Sequence, residues 1–265
     1  MTALAILLAV PLVMWLGQTA MLARHGLPIR WRIDARNAPR DVRTVGRLVT
    51  QASLLAAAVV YPVLIGESPL RYYARLLPAD TSAWQLLHGA AASVLFLAVL
   101  LLVWVAADCL EVDTHQPRHR WQRRLMLLVP TALFGAFVEE LLFRGVVMAD
   151  LLRWFPQAQW FVVTASALIF CGSHYVRSVK RRWTFPGHLM LGVLLCAAFL
   201  RTGSLWLPAG LHAGGILMIM GTRPFLVSRG PSWLTGASVF PFAGVVGIAG
   251  LAILTAFIVT QYGAH

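Results

Sequence analysis

Two adjacent carboxylates, Glu139 and Glu140, stand inside an apolar run from Leu125 to Met148. The run is long enough to cross a lipid bilayer. Only ten Asp and Glu residues occur in the 265-residue chain, so two of them here constrain the fold strongly. Besides these two, only Pro130, Thr131 and Arg144 interrupt the apolar sequence. An ionisable side chain at bilayer depth costs at least ~2.5 kcal/mol, so it is expected to be paired or to serve a function. Helical spacing sorts the three charges. Glu140 and Arg144 are i,i+4 neighbours and can pair, while Glu139 is turned about 100° away and is left available.

The surrounding composition agrees with a membrane setting. Hydrophobic residues make up 59% of the chain and charged residues 12%, with a mean hydropathy of +0.73. A soluble domain carries roughly 25% charged residues. The expected fold class is therefore an all-α, polytopic transmembrane helical bundle. Apolar windows fall at about 2–23, 48–65, 86–107, 126–148, 158–176, 186–200, 205–221 and 237–260, giving about eight spans. Residues 1–265 read as a single integral membrane domain with no room for a sizeable soluble one. The first window lacks a basic n-region and a clear cleavage site, and is expected to be a retained span, with a signal peptide as the weaker alternative.

The net charge of +12 raises nucleic acid as a partner, and its distribution argues against that. Lys and Arg number 7, 4, 4 and 2 in the first, third, fifth and seventh loops, and 2, 1 and 1 in the second, fourth and sixth. Such alternation is a topology signal, and it places both termini outside and the basic loops in the cytoplasm. The basic first loop, with Pro28, Trp31 and Pro39, is expected to be solvated near anionic headgroups. The second loop contains P-L-R-Y-Y-A-R-L-L, expected to form an interfacial helix with its tyrosines at headgroup level. Windows six and seven are separated by four residues, which predicts a tight helical hairpin. Cys109, Cys171 and Cys196 are odd in number and lack metal-ligand spacing, so no disulfide framework is expected.

Eight histidines occur. His25, His115, His119 and His265 lie in polar or terminal stretches, and His88 and His188 at span edges where an amphipathic ring is comfortable. His174, ending F-C-G-S-H, and His212, within L-P-A-G-L-H-A-G-G-I, lie inside apolar windows. One buried histidine is most often a packing residue. Two, with a glutamate pair on a third helix, are explained more cheaply by one shared polar site than by several isolated burials.

These residues resemble a family. E-E-L-L-F-R (Glu139 to Arg144) matches an E-E-x-x-x-R motif, and Phe170 to His174 matches F-x-x-x-H. G-S-L-W-L-P-A-G-L-H (Gly203 to His212) is similar to the third motif, H-x-x-x-N. Order and one motif per helix also agree with the CPBP family, which comprises type II CAAX prenyl endopeptidases and bacteriocin-processing or immunity-associated membrane proteins. The motif-bearing core is about residues 126–222.

The resemblance implies an intramembrane endopeptidase acting on membrane-associated or lipidated proteins in a prokaryotic cell (inner) membrane. In it Glu139 is the general base that activates a water, and His174 and His212 hold the water or stabilise the oxyanion. Glu140 and Arg144 form the supporting ion pair, and Phe170 belongs to the second motif. A glutamate in a low-dielectric site suits acid–base work. Small residues near the motifs (Gly135, Ala136, Gly172, Gly210, Ala213, Gly214 and Gly215) are expected to leave space for a water-filled cavity.

One departure is Ile216, where many family members carry Asn; losing one oxyanion donor typically costs about 10²–10³ in rate. Ser173 and Tyr175 are the neighbouring polar groups that could substitute. No cofactor is preferred. The alternative is a zinc ion held by Glu139, His174 and His212, a His₂Glu set with an open fourth position. Two other classes remain: a proton-coupled carrier, which also uses intramembrane Glu, His and Arg, and a catalytically inactive binding or immunity factor, which Ile216 would suit.

Overall fold

The computed structural model of the chain describes residues 2–29, 39–113, 118–176, 184–236 and 240–263. It is helical almost throughout, as expected. In chain order come α1 (Thr2–Arg24), α2 (Arg40–Leu64), α3 (Pro69–Leu76), α4 (Ser82–Ala106) and α5 (Arg118–Leu142). A π-helical segment, Phe143–Met148, continues α5 into α6 (Ala149–Trp154). Then follow α7 (Gln159–Val176), α8 (Phe185–Thr202), α9 (Trp206–Thr222), the single turn α10 (Ser232–Thr235) and α11 (Val245–Gln261).

Among the described residues five stretches are long and apolar enough to cross a membrane: Thr2–Arg24, Asp41–Leu64, Ser82–Ala106, Arg124–Trp154 and Phe185–Thr202. The chain is therefore an integral membrane protein with a helical bundle, and the described residues do not confirm the expected count of eight spans. The other three apolar windows also form helices, of 18, 17 and 17 residues, but α7, α9 and α11 are too short or too polar to count by the same measure. Large apolar side chains such as Leu8, Leu95, Leu102, Met126 and Ile253 are exposed along the helices, as a lipid-facing surface requires. The basic cluster of Arg177, Lys180, Arg181 and Arg182 lies outside the described residues, as do His115, Trp31 and His265.

The predicted hairpin between windows six and seven is present. Helix α8 ends where Gly203 turns left-handed (φ 62°) and its N–H donates to the Phe199 carbonyl, which is the helix-stop geometry that glycine favours. Helix α9 starts three residues later and lies against α4 at backbone distance. A Cβ placed on Gly210 would come 2.2 Å from the Leu86 carbonyl oxygen, one on Gly89 2.5 Å from that of Leu207, and one on Gly214 2.5 Å from that of Ala90. Three glycines thus set the depth of α9 in the bundle. A short antiparallel ribbon, β1 (Leu110–Val112) with β2 (Leu226–Ser228), joins the ends of α4 and α9. Three residues per strand is too short for periodicity to reveal.

Candidate active site

The polar centre is built from four helices: α5 with its π continuation, α7, α8 and α9. Glu140 and Arg144 are fully buried and paired, Arg144 Nη1–H donating to Glu140 Oε1 over 3.0 Å as the i,i+4 spacing predicted. Arg144 also donates from Nη2 to the Gly192 carbonyl on α8 (3.2 Å), and its guanidinium lies 4.7 Å from the centre of the Phe170 ring. Charge pairing, a carbonyl acceptor and a cation–π contact together offset the cost of burying a guanidinium.

The same Glu140 Oε1 accepts a second hydrogen bond, from His212 Nδ1 at 2.8 Å. That link was not legible in the sequence, because it joins residues 72 apart on different helices. It gives Glu140 a chemical role beyond charge balance: the imidazole of His212 is oriented with Nδ1 committed and Nε2 facing inward. His174 is oriented similarly. Its Nδ1 donates to the Phe170 carbonyl one turn back (2.9 Å), and its ring packs edge-on against Phe170 at 4.7 Å. Phe170 also contacts His212, with 5.8 Å between ring centres, and so touches both histidines and Arg144.

With both Nδ1 atoms held, the two Nε2 atoms converge on Glu139. Oε2 of Glu139 is 3.7 Å from His212 Nε2 and 3.9 Å from His174 Nε2. These separations exceed direct hydrogen bonds. They suit one bridging small molecule with legs of about 2.8 Å. Glu139 keeps 23% of its side chain exposed, against none for Glu140, so the adjacent carboxylates divide as the helical spacing predicted. The six residues Glu139, Glu140, Arg144, Phe170, His174 and His212 form one connected cluster. A shared polar site therefore stands in place of six isolated burials.

The expectation about small residues needs correction. Gly172 and Gly215 do face open space, with nothing within 4 Å of a Cβ placed there. Gly210 and Gly214 do not: both are consumed in the close approach of α9 to α4. Both polar neighbours proposed to replace the Asn at position 216 hydrogen-bond to other groups. The Ser173 hydroxyl donates to the Phe170 carbonyl (2.7 Å), and the Tyr175 hydroxyl bonds to Thr184 Oγ1 (2.8 Å).

His188, read from sequence as a comfortable span-edge ring, is buried beside the site. Its ring centre lies 5.3 Å from that of His174, it bonds through Nδ1 to the Thr184 carbonyl (2.9 Å), and Phe240 and Phe242 enclose it. Its position at the start of α8 concealed this, because the turn at 240–243 that covers it comes more than fifty residues later in the chain.

As for zinc, a tetrahedral ion with legs of about 2.0–2.1 Å sets donor atoms about 3.3 Å apart. The donors here stand wider, at 3.7 and 3.9 Å. Among the described residues no group of three His, Cys, Asp or Glu is disposed to hold a metal ion.

Residues 121–218 match the model of the family Type II CAAX prenyl endopeptidase Rce1-like, in agreement with the CPBP resemblance of the three motifs. The matched stretch is well under half of the chain and contains all six residues of the cluster. It supports, as a broad class, a membrane-embedded hydrolase of the CAAX-protease type. Comparison with curated proteins and with solved structures gives no match.

Proposed function

We propose that this chain is an intramembrane endopeptidase that cleaves membrane-associated or lipidated proteins by a glutamate-activated water. The observation that carries the reading is the convergence of two pre-oriented Nε2 atoms on the one accessible carboxylate of the cluster, Glu139. A water seated among these three atoms donates one proton to Glu139 Oε2 as its oxygen attacks the scissile carbonyl carbon. A neutral imidazole with its Nδ1–H committed accepts at Nε2 and holds the water. One that carries a proton at Nε2 as well donates to the developing oxyanion. Glu139 then passes its proton to the leaving amine nitrogen as the C–N bond breaks, acting first as base and then as acid. Glu140 and Arg144 support the reaction by orienting His212 and neutralising each other.

The test is cleavage of a panel of tagged membrane-anchored peptides by purified protein, wild type beside Glu139→Gln, each with and without chelator. A fall of roughly 10²–10⁴-fold in the variant, with chelator harmless, is the expected result. Loss with chelator in the wild type would replace the water mechanism by the His₂Glu zinc alternative. No cleavage by the wild type, combined with a Glu139→Gln effect on the host, would replace it by the carrier or the inactive binding factor.

A further inference from the structure

The second-loop motif P-L-R-Y-Y-A-R-L-L forms α3, and the hydroxyls of both its tyrosines bond to neighbouring segments of the protein. Tyr72 is buried, and its hydroxyl donates to the carbonyl of Gly145, the residue after Arg144 and within the π-helical segment. The Tyr73 hydroxyl donates to the Ala58 carbonyl of α2 (2.7 Å). Burial raises both phenols above their ordinary value, so they remain proton donors across the physiological range. The Tyr72 ring meets Tyr61 edge-on at 5.7 Å, and Tyr61 in turn donates to Asp150 (3.0 Å), just beyond the π segment.

The other end of α3 holds the start of α9. The Leu76 carbonyl accepts from the Leu205 N–H (2.8 Å), and the Pro78 carbonyl accepts from Trp206 Nε1–H (3.0 Å). Trp206 stacks on Phe137, two residues before Glu139, with 5.7 Å between ring centres. Gly145 lies where these parts meet. A Cβ there would come 3.3 Å from Tyr73 and 3.6 Å from Leu205.

One eight-residue helix is therefore bonded on one side to the segment carrying Glu139, Glu140 and Arg144, and on the other to the helix carrying His212. We infer that α3 is a clamp that sets the register between these two helices, and that Tyr72 is a positioning residue for the Glu140–His212 hydrogen bond and so for the site. A π segment is a local departure from the i→i+4 ladder that recurs at functional sites. An external donor on one of its carbonyls selects that arrangement over the regular helix. This inference rests on the proteolytic reading for its activity arm only.

Two readouts on the full chain in detergent decide it, comparing wild type, Tyr72→Phe and the control Leu70→Ala, whose side chain is exposed on α3. The first is peptide cleavage well below the unfolding temperature. Displacing catalytic groups by about 1 Å costs up to about 10²-fold in rate, so Tyr72→Phe is expected to lower kcat tenfold or more with KM within about twofold. The second needs no substrate: the ¹⁵N and ¹H resonances of the His212 Nδ1–H group, expected to shift or broaden in Tyr72→Phe and to be unchanged in Leu70→Ala. A merely structural tyrosine would lower the unfolding temperature while leaving both readouts as in the wild type, and that result overturns the clamp. Equal changes in Leu70→Ala would overturn it too. If the wild type cleaves nothing, the proteolytic reading fails, and the His212 resonances alone still decide the clamp.

Discussion

At the residue scale, two neighbouring glutamates have opposite fates because a helix turns about 100° per residue. Glu140 points into the bundle against Arg144, and Glu139 keeps access to the space that the histidines line. Glu140 Oε1 accepts from both Arg144 and His212, so the ion pair is part of the hydrogen-bond chain that aims an imidazole at Glu139. Removing one partner of a buried pair strands the other charge at a cost of about 3–5 kcal/mol, whereas apolar replacement of both is often tolerated. Arg144→Met is therefore expected to unfold at a clearly lower temperature than the wild type in detergent. The double variant Arg144→Met/Glu140→Leu should recover much of that stability without recovering peptide cleavage, because His212 then lacks its carboxylate. Thermal unfolding and a cleavage assay on the same preparations check both halves. Recovery of activity with stability would show that the pair is structural only.

At the element scale, the depth and register of α9 decide where His212 lies. Gly210 and Gly214 bracket that histidine and both touch the α4 backbone. A methyl group at Gly210 has no flexible neighbour to displace, since it meets a main-chain carbonyl at 2.2 Å. Overpacking typically costs about 1–3 kcal/mol. Gly210→Ala is expected to lower the unfolding temperature and, by shifting α9, to reduce cleavage more than Gly172→Ala, which faces open space. The paired assay fails the prediction if the two alanine variants behave alike. The π segment belongs to this scale as well, since it begins within the E-E-x-x-x-R motif and includes Arg144.

At the scale of the whole molecule, the Lys and Arg alternation predicts that α1, α4, α7, α9 and their partners run in a defined direction through the membrane. Single cysteines at Gly26 and Gln122, in a background lacking the native three, should react with an impermeant reagent only after the cell is opened. One at Asp80 should react in intact cells. Labelling in the opposite order would reverse the topology, and a mixed order would show that α2 or α4 does not cross.

The helices, their membrane setting, the Glu140–Arg144 pair and the six residues of the cluster were legible in the sequence. All of these are local or compositional: apolar run length, i,i+4 spacing, the rarity of charge in hydrocarbon, and three short motifs. What the sequence could not supply is any relation between helices. The bond from His212 to Glu140, the packing of His188 on His174, and the burial of Tyr72 against Gly145 each join residues separated by 72, 14 and 73 positions. The glycines illustrate the same limit, because an identical residue type leaves space at 172 and 215 and removes it at 210 and 214. Local physics selects which segments become helices and which side chains must be satisfied within the bilayer. Only the packed bundle decides which partner satisfies them, because that depends on how close two backbones can come.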